Sequence, residues 1–265
     1  FCIRKFEMLM RTSESAMFLD ADISQNTVDL ICRFRDGFIN YIENTHKEIQ
    51  AQFKEYYTTK KEKWTAKLNR ALLKGEKVVI ASNRSYHYTQ SLKETIKNEY
   101  PNLRVALYNS QTIKDKKTSE ELVDVEKSWI NYDVLIYSPT VSAGVSFSPE
   151  HFDSCFCYFV NQGKINSMRQ MINRVRKFKT NEFNYCLQAM GGSTIPDNIE
   201  DYQRYLMSNR FIPTSSGDFV QSREELGGTR SFPHKDILYY MFLYYETETA
   251  RDKNMFVFNF LREQY

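Results

Sequence analysis

The sequence predicts an α/β fold in which a parallel β-sheet is covered by helices, and two observations lead to this class. Between about residues 77 and 190, short apolar runs alternate with longer amphipathic stretches, which is typical of strands joined by helical crossovers. The chain of 265 residues is 42% apolar and 15% aromatic, which is enough for a buried core. We expect one α/β domain with further segments on both sides of it.

Each element of this domain follows from a local pattern. Between the first two strands, apolar residues recur at every fourth position up to Pro101, which predicts a helix. Thr118 and Glu121 then form a capping-box pair before an apolar stripe that ends at Trp129, which predicts a second helix. The run NSMRQMINRVRK (166–177) predicts a third helix. The predicted strands are VVIAS (78–82), VALYN (105–109), DVLIYS (133–138), SCFCYFV (154–160) and FNYCLQ (183–188).

The segments that flank this domain are less regular. SAMFLDAD (15–22) and FINYIEN (38–44) have the character of strands from a neighbouring sheet. A long polar helix is predicted from Thr45 to Lys74, because apolar residues form one stripe along it and Gly75 follows it. Beyond residue 190, loops precede two aromatic segments that are helices or strands, and we expect a mainly helical extension.

Composition and cysteine usage exclude several classes of protein. No run approaches the roughly 18 consecutive apolar residues that cross a bilayer, so no membrane partner is expected. The N-terminus lacks the features of a signal peptide and does not begin with Met, so we expect a fragment of an intracellular protein. The five cysteines have no zinc-site spacing, which favours reduced thiols in a reducing compartment. The net charge of +3 does not by itself indicate nucleic acid.

The loop after the third predicted strand has the composition of an anion site. It reads PTVSAGVSF and contains Thr140, Ser142, Gly144 and Ser146. Glycine lets backbone N–H groups approach an anion, and hydroxyls add donors to phosphate oxygens. The same residue types also form ordinary turns, so the loop alone favours neither interpretation.

The third predicted helix carries residues that suit a triphosphate. Gln170 and Arg174 are four apart on one face, and Lys177 continues that face, while Arg176 points elsewhere. Arginine grips phosphate through two parallel hydrogen bonds and stays charged when partly desolvated. The alternative is a surface helix whose apolar side packs on the sheet.

The order of these segments resembles a known family. VVIASN, YSPTVSAGVSF, HFDSCFCYF and QMINRVRK follow one another like motifs IV, V and VI of superfamily 2 helicases. The chain resembles the origin-binding-protein helicases of herpesviruses and other large DNA viruses over roughly residues 15 to 190. The resemblance implies the end of a first RecA-like lobe (1–44), a linker helix (45–75), a second RecA-like lobe (76–190) and a C-terminal extension (191–265).

The resemblance also assigns roles at the nucleotide. Arg174 would be the arginine finger that reaches the γ-phosphate of ATP, and Gln170 would position the helix or the nucleotide. Asn173 stands where the family has a glycine. Either Arg176 or Lys177 takes the place of the second arginine.

Further residues at the nucleotide follow from the same resemblance. Gly144 and Ser146 belong to the motif V loop. The segment LDADIS, with Asp20 and Asp22, resembles motif III at the end of the first lobe. The alternatives for this segment are a carboxylate pair that holds Mg²⁺, as in motif II, and a plain turn at a strand end.

Nucleic acid would contact the loops that follow the strands. Such contacts to sugar and phosphate are independent of sequence and sensitive to salt. The alternative is that these side chains cap helices or turns. The residues implied are Asn83, Arg84, Ser110, Thr112 and Thr140.

The implied activity is that of an ATP-dependent helicase. No G-x-x-x-x-G-K-[ST] loop occurs in the sequence, so ATP and Mg²⁺ would be bound mainly by a first lobe, and we expect the chain alone to be inactive. The expected partners are single-stranded or duplex DNA and a primase or other replication proteins, in the host nucleus or a cytoplasmic replication site if the protein is viral. The alternatives are a nucleic-acid-binding module without motor activity and a replisome interaction domain.

Overall fold

The computed structural model describes residues 2–18, 25–35, 40, 42, 54–141, 144–208, 211–213, 219–221 and 237–262. In chain order the helices are α1 (Cys2–Thr12), α2 (Gln25–Phe34), α3 (Lys61–Leu73), α4 (Tyr86–Glu99), α5 (Lys116–Glu121), α6 (Val125–Trp129), α7 (Ile165–Ile172), α8 (Ile199–Ser208), α9 (Ile237–Asn254) and α10 (Phe256–Arg262). The strands are β1 (Lys54–Thr58), β2 (Val78–Ser82), β3 (Val105–Tyr108), β4 (Val134–Tyr137), β5 (Ser154–Val160), β6 (Glu182–Gln188), β7 (Phe211–Pro213) and β8 (Phe219–Gln221). The chain divides into two compact units, Phe1–His46 with Ser193–Arg251 and Lys47–Gly192 with Asp252–Tyr265.

The larger unit is built on a six-stranded parallel sheet with the strand order β1-β6-β5-β2-β4-β3. Strands β2 to β5 are buried along their whole length, which explains why the sequence presents them as unbroken apolar runs. The five predicted strands are all present, with ends that differ by at most one residue. The predicted fold class, a parallel sheet with flanking helices, is confirmed, and the described part of the C-terminal extension is mainly helical.

Helices cover both faces of this sheet. On one face α3 and α4 pack through Trp64, Leu68 and Ile96. The indole Nε1 of Trp64 donates to the buried carbonyl of Asn184 at 3.1 Å, which fixes α3 on β6. On the other face, α6, α7 and α10 contribute an apolar cluster that contains Trp129, Met168 and Phe260. The sheet is therefore the middle layer of three.

The predicted helix from Thr45 to Lys74 is wrong over part of its length. Residues 54–58 form β1, which pairs in parallel with β6 at the edge of the sheet. Two adjacent tyrosines favour extended backbone, and the free edge of β6 offers them hydrogen bonds. The helix is confirmed only as α3, and residues 43–53 lie outside the described part. Its predicted end is confirmed, since Gly75 has a φ of +75° and donates to the carbonyl of Leu72.

The predicted capping box at Thr118 and Glu121 is also wrong. The chain forms two short helices there, and aspartates cap both of them. Asp115 accepts from the backbone N–H of Thr118, and Asp124 caps α6. Glu121 does not reach back to the helix start, because its carboxylate accepts from the hydroxyl of Tyr108 at 2.7 Å.

The smaller unit contains helices from both ends of the chain. Arg35 donates to the carbonyl of Met10 and to the hydroxyl of Ser13, which links α2 to the end of α1. Helices α8 and α9 pack through Tyr202, Leu206 and Leu243. The strand predicted over 15–22 is wrong at 15–18, which are irregular chain after α1, and its remainder lies outside the described residues. The strand predicted over 38–44 also lies outside them, except for residues 40 and 42, which are not in a strand.

Candidate functional site

The arginine-rich segment begins as a helix but does not continue as one. Helix α7 ends at Ile172, and Asn173 closes it with a backbone N–H bond to the preceding turn. Gln170 is therefore on the helix, whereas Arg174 and Lys177 are beyond its end. The prediction that these three residues share a helix face is wrong.

Beyond α7 the chain runs in extended form beside the loop that follows β4. Val175 forms a parallel bridge with Phe147, and backbone bonds of 2.8 and 2.9 Å join Phe147 to Arg174 and Arg176. Val175 is only 3% exposed, because its β-branched side chain enters the core next to Phe147. Alternate residues of an extended segment face the same way, so Arg174 and Arg176 lie on one side of it.

Arg174 is half-buried, and part of its guanidinium has no partner among the described residues. Its Nη1 donates to the carbonyl of Val145 at 3.3 Å. Its Nε is fully buried and makes no hydrogen bond to any described residue. A buried N–H without an acceptor costs about 1–3 kcal/mol, so this part of the guanidinium is an unsatisfied donor within the described fold.

Arg176 is exposed and lies against the same loop. Its Nε donates to the hydroxyl of Ser146 at 3.1 Å. Gly144, two residues earlier, has a φ of +92°, a conformation that residues with a side chain rarely adopt. The loop and the extended segment thus place two guanidinium groups and one hydroxyl together. Lys177 is exposed and follows them.

These residues fit the phosphate groups of a nucleotide and not a metal ion. Two guanidinium groups and a serine hydroxyl supply donors for phosphate oxygens. In the described part of the chain, no group of three or more His, Cys, Asp or Glu side chains is placed to hold a metal ion. Asp20 and Asp22, predicted near the nucleotide, lie outside the described residues.

The residues predicted to contact nucleic acid all follow β2, β3 or β4. They therefore lie at the carboxyl edge of the sheet, which is the side where the parallel strands end. Asn83 is bound to the protein itself. Its Nδ2 donates to the carbonyls of Val160 and Gln162 at 2.7 and 2.9 Å, and its Oδ1 accepts from the N–H of Val160. The side chain ties the end of β2 to the end of β5, which is a structural role.

Arg84 has weaker partners at the same edge. Its Nη1 donates to the Sδ of Met190 at 3.0 Å, and its guanidinium lies 5.4 Å from the ring centre of Tyr88. Its Nε is buried and, like that of Arg174, makes no hydrogen bond within the described chain. Burial raises the pKa of Tyr88 far above its usual range, so the ring beneath Arg84 stays neutral.

The hydroxyl groups of Thr112, Thr140 and Ser110 differ in whether the protein itself already uses them in hydrogen bonds. Thr112 accepts from the backbone N–H of Asn109 at 2.9 Å and so holds the turn after β3. Thr140 and Ser138 share a hydrogen bond of 2.9 Å between their hydroxyls. Ser110 is exposed. Thr112 therefore has the capping role that was the alternative to a nucleic-acid contact.

The feature that sequence reasoning missed is the start of α3. Lys60, Lys61 and Lys63 lie at the carboxyl edge because β1 ends just before them, and Lys61 lies 5.3 Å from the ring centre of Tyr88. Within the predicted long helix these lysines looked like a solvated face. The adjacent Tyr56 and Tyr57 indicate a strand at 54–58, and a strand there puts the lysines that follow it at the carboxyl edge.

Comparison with known proteins identifies relatives among large DNA viruses. Residues 38–197 match the family described as origin of replication binding protein. The chain is 29% identical over 269 residues to the proposed helicase/primase complex protein of African swine fever virus, a match that covers 97% of this chain and 24% of that protein. It is 26% identical over 198 residues to the proposed replication origin-binding protein of Acanthamoeba polyphaga mimivirus, covering 74% of this chain and 23% of that protein. The chain spans about a quarter of the length of these relatives.

Solved structures with some likeness include two helicase proteins. The helicase domain of Pyrococcus furiosus Hef aligns with a TM-score of 0.32 and 13% identity, over 56% of this chain and 28% of that chain. The E. coli DEAD-box protein SrmB, solved with the regulator RraA, aligns with a TM-score of 0.37 and 16% identity, over 60% of this chain and 87% of that chain.

Proposed function

Because the chain belongs to the family of origin of replication binding proteins, we propose that it is the second motor lobe of an ATP-dependent DNA helicase or translocase of superfamily 2 that acts in viral-type genome replication. A first lobe would hold most of the ATP and Mg²⁺, and its end would include Asp20 and Asp22. The activity and partners of the whole protein, including a primase, belong to this proposal, since the chain spans about a quarter of its relatives.

The observation that carries the proposal is the state of Arg174. A fixed positive charge is held half-buried by one backbone carbonyl, and its Nε has no acceptor among the described residues. An anion with several oxygens at the accessible part of the guanidinium would compensate this charge. Arginine in this role stabilises negative charge as a phosphoryl group is transferred.

Arg176 is the better candidate for the second cation. It lies on the same side of the extended segment as Arg174, and Ser146 orients it through a hydrogen bond of 3.1 Å. Gly144 allows the loop to turn beside both arginines. Lys177 is exposed and makes no hydrogen bond to this loop among the described residues. Gln170, on the exposed side of α7, keeps its predicted positioning role as part of the proposal.

DNA would cross the carboxyl edge of the sheet. Among the predicted contacts, Arg84, Ser110 and Thr140 have hydrogen-bond donors that could reach DNA at this edge. Asn83 and Thr112 would instead hold the loops that carry these donors. Bound ATP would supply the free energy for closing and reopening the two lobes. In this cycle, the chain would bind the phosphate groups of ATP with its arginines and would bind one DNA strand at the carboxyl edge of its sheet.

The test is single-strand-stimulated ATPase activity of the full-length protein. We expect Arg174→Ala to lower the rate by about 10³ to 10⁵, as is typical of arginine fingers. Arg176→Ala should lower it strongly and Lys177→Ala only slightly, because Ser146 holds Arg176 against the loop that Arg174 also contacts.

Lys179→Ala is the matched control for these variants. Lys179 is a basic residue of the same segment, but its Nζ pairs with Asp153 at 3.3 Å, so the ATPase rate should stay near wild type. An Arg174→Ala protein with an unchanged rate would contradict the finger assignment. No stimulated ATPase in the wild type would favour a nucleic-acid-binding or replisome interaction module without motor activity.

A further inference from the structure

A cavity of about 340 Å³ opens where β1 and β6 end, at the carboxyl edge of the sheet. Its wall is aromatic and apolar on one side, with Tyr57, Leu187 and Val257. Its rim carries the end of β1 and the start of α3, including Thr58, Lys60 and Lys63. A concave site with an apolar wall and a few convergent polar groups has the composition of a ligand site.

The ring of Tyr57 is fixed in place as a flat surface. It stacks on Tyr185 with 5.0 Å between ring centres and 10° between planes. Its hydroxyl donates to a carboxylate oxygen of Glu55 at 2.7 Å, so the ring is held at both its face and its edge. Tyr57 is still 37% exposed. A rigid and accessible aromatic ring offers a stacking surface for a nucleobase of any sequence.

The rim of the cavity is positively charged. Lys60 and Lys63 are exposed, and no described carboxylate forms a salt bridge with either. Glu62 is the acidic residue of this turn. The N-cap residue Lys60 makes no side-chain capping bond among the described residues, so the N–H groups of the first turn of α3 add to the positive potential beside the two lysines. The rim therefore attracts an anion next to the aromatic wall.

From this arrangement we propose that the cavity, here called the edge pocket, accepts one nucleotide of single-stranded DNA. The base stacks on Tyr57, and Lys60 and Lys63 hold its phosphate. The inference rests on the proposed function, since it extends the DNA path along the carboxyl edge. In the sheet, β1 lies three positions from β2, which is about 14 Å at the usual spacing between strands. A short single strand of DNA can therefore reach both Arg84, which follows β2, and the edge pocket.

A free nucleotide has the same chemistry as one unit of a DNA strand, and the test separates these two sources. The full-length protein is titrated with oligothymidylate that carries a single 2-aminopurine, placed at a different position in each probe. A parallel titration uses free 2-aminopurine deoxyribonucleoside monophosphate. The readouts are fluorescence quenching of the base analogue, which reports stacking, and anisotropy, which reports affinity.

We expect quenching with the oligonucleotide probes and little with the free nucleotide. Tyr57→Ala should remove this quenching and weaken oligonucleotide binding by about tenfold, whereas Tyr57→Phe should retain both. Replacing both lysines, Lys60→Ala with Lys63→Ala, should weaken binding while the quenching persists at saturation.

Two residues provide matched controls. Tyr56 is on the same strand, is 48% exposed and faces the other side of the sheet beneath Lys67, so Tyr56→Ala should bind and quench like wild type. Lys97 is exposed in the last turn of α4, away from the carboxyl edge, so Lys97→Ala should also bind normally. Thermal melting of each variant confirms that it is folded.

The outcomes separate the two proposals. Tyr57→Ala with wild-type quenching and affinity, in a protein whose ATPase still responds to DNA, overturns the edge pocket and leaves the motor function standing. Quenching that depends on Tyr57 with the free nucleotide alone overturns the assignment to a DNA strand. A wild-type protein that neither binds the oligonucleotide nor shows stimulated ATPase overturns the proposed function itself.

Discussion

The two edges of the six-stranded sheet differ in how their charges are used. At the amino edge, where the strands begin, acidic side chains meet basic ones in pairs. These pairs are Asp133 with Arg104, Asp153 with Lys179 and Glu182 with Lys67. At the carboxyl edge the cations Arg84, Lys60 and Lys63 have no carboxylate partner among the described residues, and they lie beside aromatic rings and hydroxyls.

This difference separates charges that hold the fold from charges that are available to a ligand. At the amino edge, Asp153 accepts the backbone N–H of Lys77 at 2.7 Å and also pairs with Lys179, so it joins the start of β2 to the segment before β6. A cation without a carboxylate partner adds little to stability, but it raises the local positive potential toward phosphate. We therefore expect substitutions at the amino edge to change stability, and those at the carboxyl edge to change DNA binding.

The largest stability effect is expected for Asp153→Ala. The substitution leaves the backbone N–H of Lys77 without its acceptor, and it removes the partner of Lys179. The free energy of unfolding should fall by about 1–3 kcal/mol. Urea denaturation followed by circular dichroism measures this change.

Asp153→Asn is the control for this prediction. Its amide oxygen still accepts the N–H of Lys77, so most of the stability should return. Affinity for single-stranded DNA, measured where both proteins are folded, should not change in either variant. Asp153→Ala with wild-type stability would show that the amino edge does not hold the sheet as its hydrogen bonds suggest.

A smaller effect, on binding alone, is expected for Arg84→Ala. If Arg84 contacts one phosphate, its loss should lower the slope of log K against log salt by about 0.7 for a single strand. The melting temperature should change little, because among the described residues the guanidinium bonds only the Sδ of Met190 and lies over the ring of Tyr88. DNA binding measured by anisotropy at several salt concentrations gives the slope.

Arg104→Ala sharpens the comparison, because it removes an arginine from the opposite edge. Arg104 is bound to Asp133, so its loss should leave the salt slope at the wild-type value. Equal slopes for Arg84→Ala and wild type would mean that the guanidinium of Arg84 does not meet DNA. Equal reductions in both variants would mean that the two edges are not distinct in binding.

The sequence predicted the sheet well because fully buried strands leave continuous apolar runs, as in β2 and β5. It missed β1, where polar residues surround Tyr56 and Tyr57 and the lysines that follow continue a helical pattern. Only pairing with β6, which is distant in sequence, decides that this stretch is extended. The edge pocket was hidden for the same reason.

The candidate site was predicted in its residues but not in its geometry. Arg174 and Gln170 follow from motif resemblance, whereas the end of α7 depends on a contact between Val175 and Phe147 from another part of the chain. That contact ends the helical spacing, and it lets Arg174 and Arg176, on either side of Val175, both bond to the loop after β4. Local spacing alone cannot contain this information.

The smallest effect is expected from the titration of Asp133. Hydrogen bonds from Arg104 lower the pKa of the Asp133 carboxyl below its ordinary value, which is about 3.9. A lowered pKa in the folded state stabilises the fold at pH values above the unfolded pKa, and this contribution is lost as the pH falls from about 4 through the folded pKa.

The test compares wild type with Asp133→Asn, which does not titrate in this range. Between about pH 5 and about pH 3, which lie on either side of the ordinary pKa of an aspartate, the wild type should lose more stability than the variant. Urea midpoints at the two pH values measure the difference, which should be small because Arg104 is exposed to solvent. Arg84 has no carboxylate partner among the described residues, so Arg84→Ala should show the same acid dependence as wild type. If Asp133→Asn loses as much stability as wild type, this ion pair does not contribute to the stability of the amino edge.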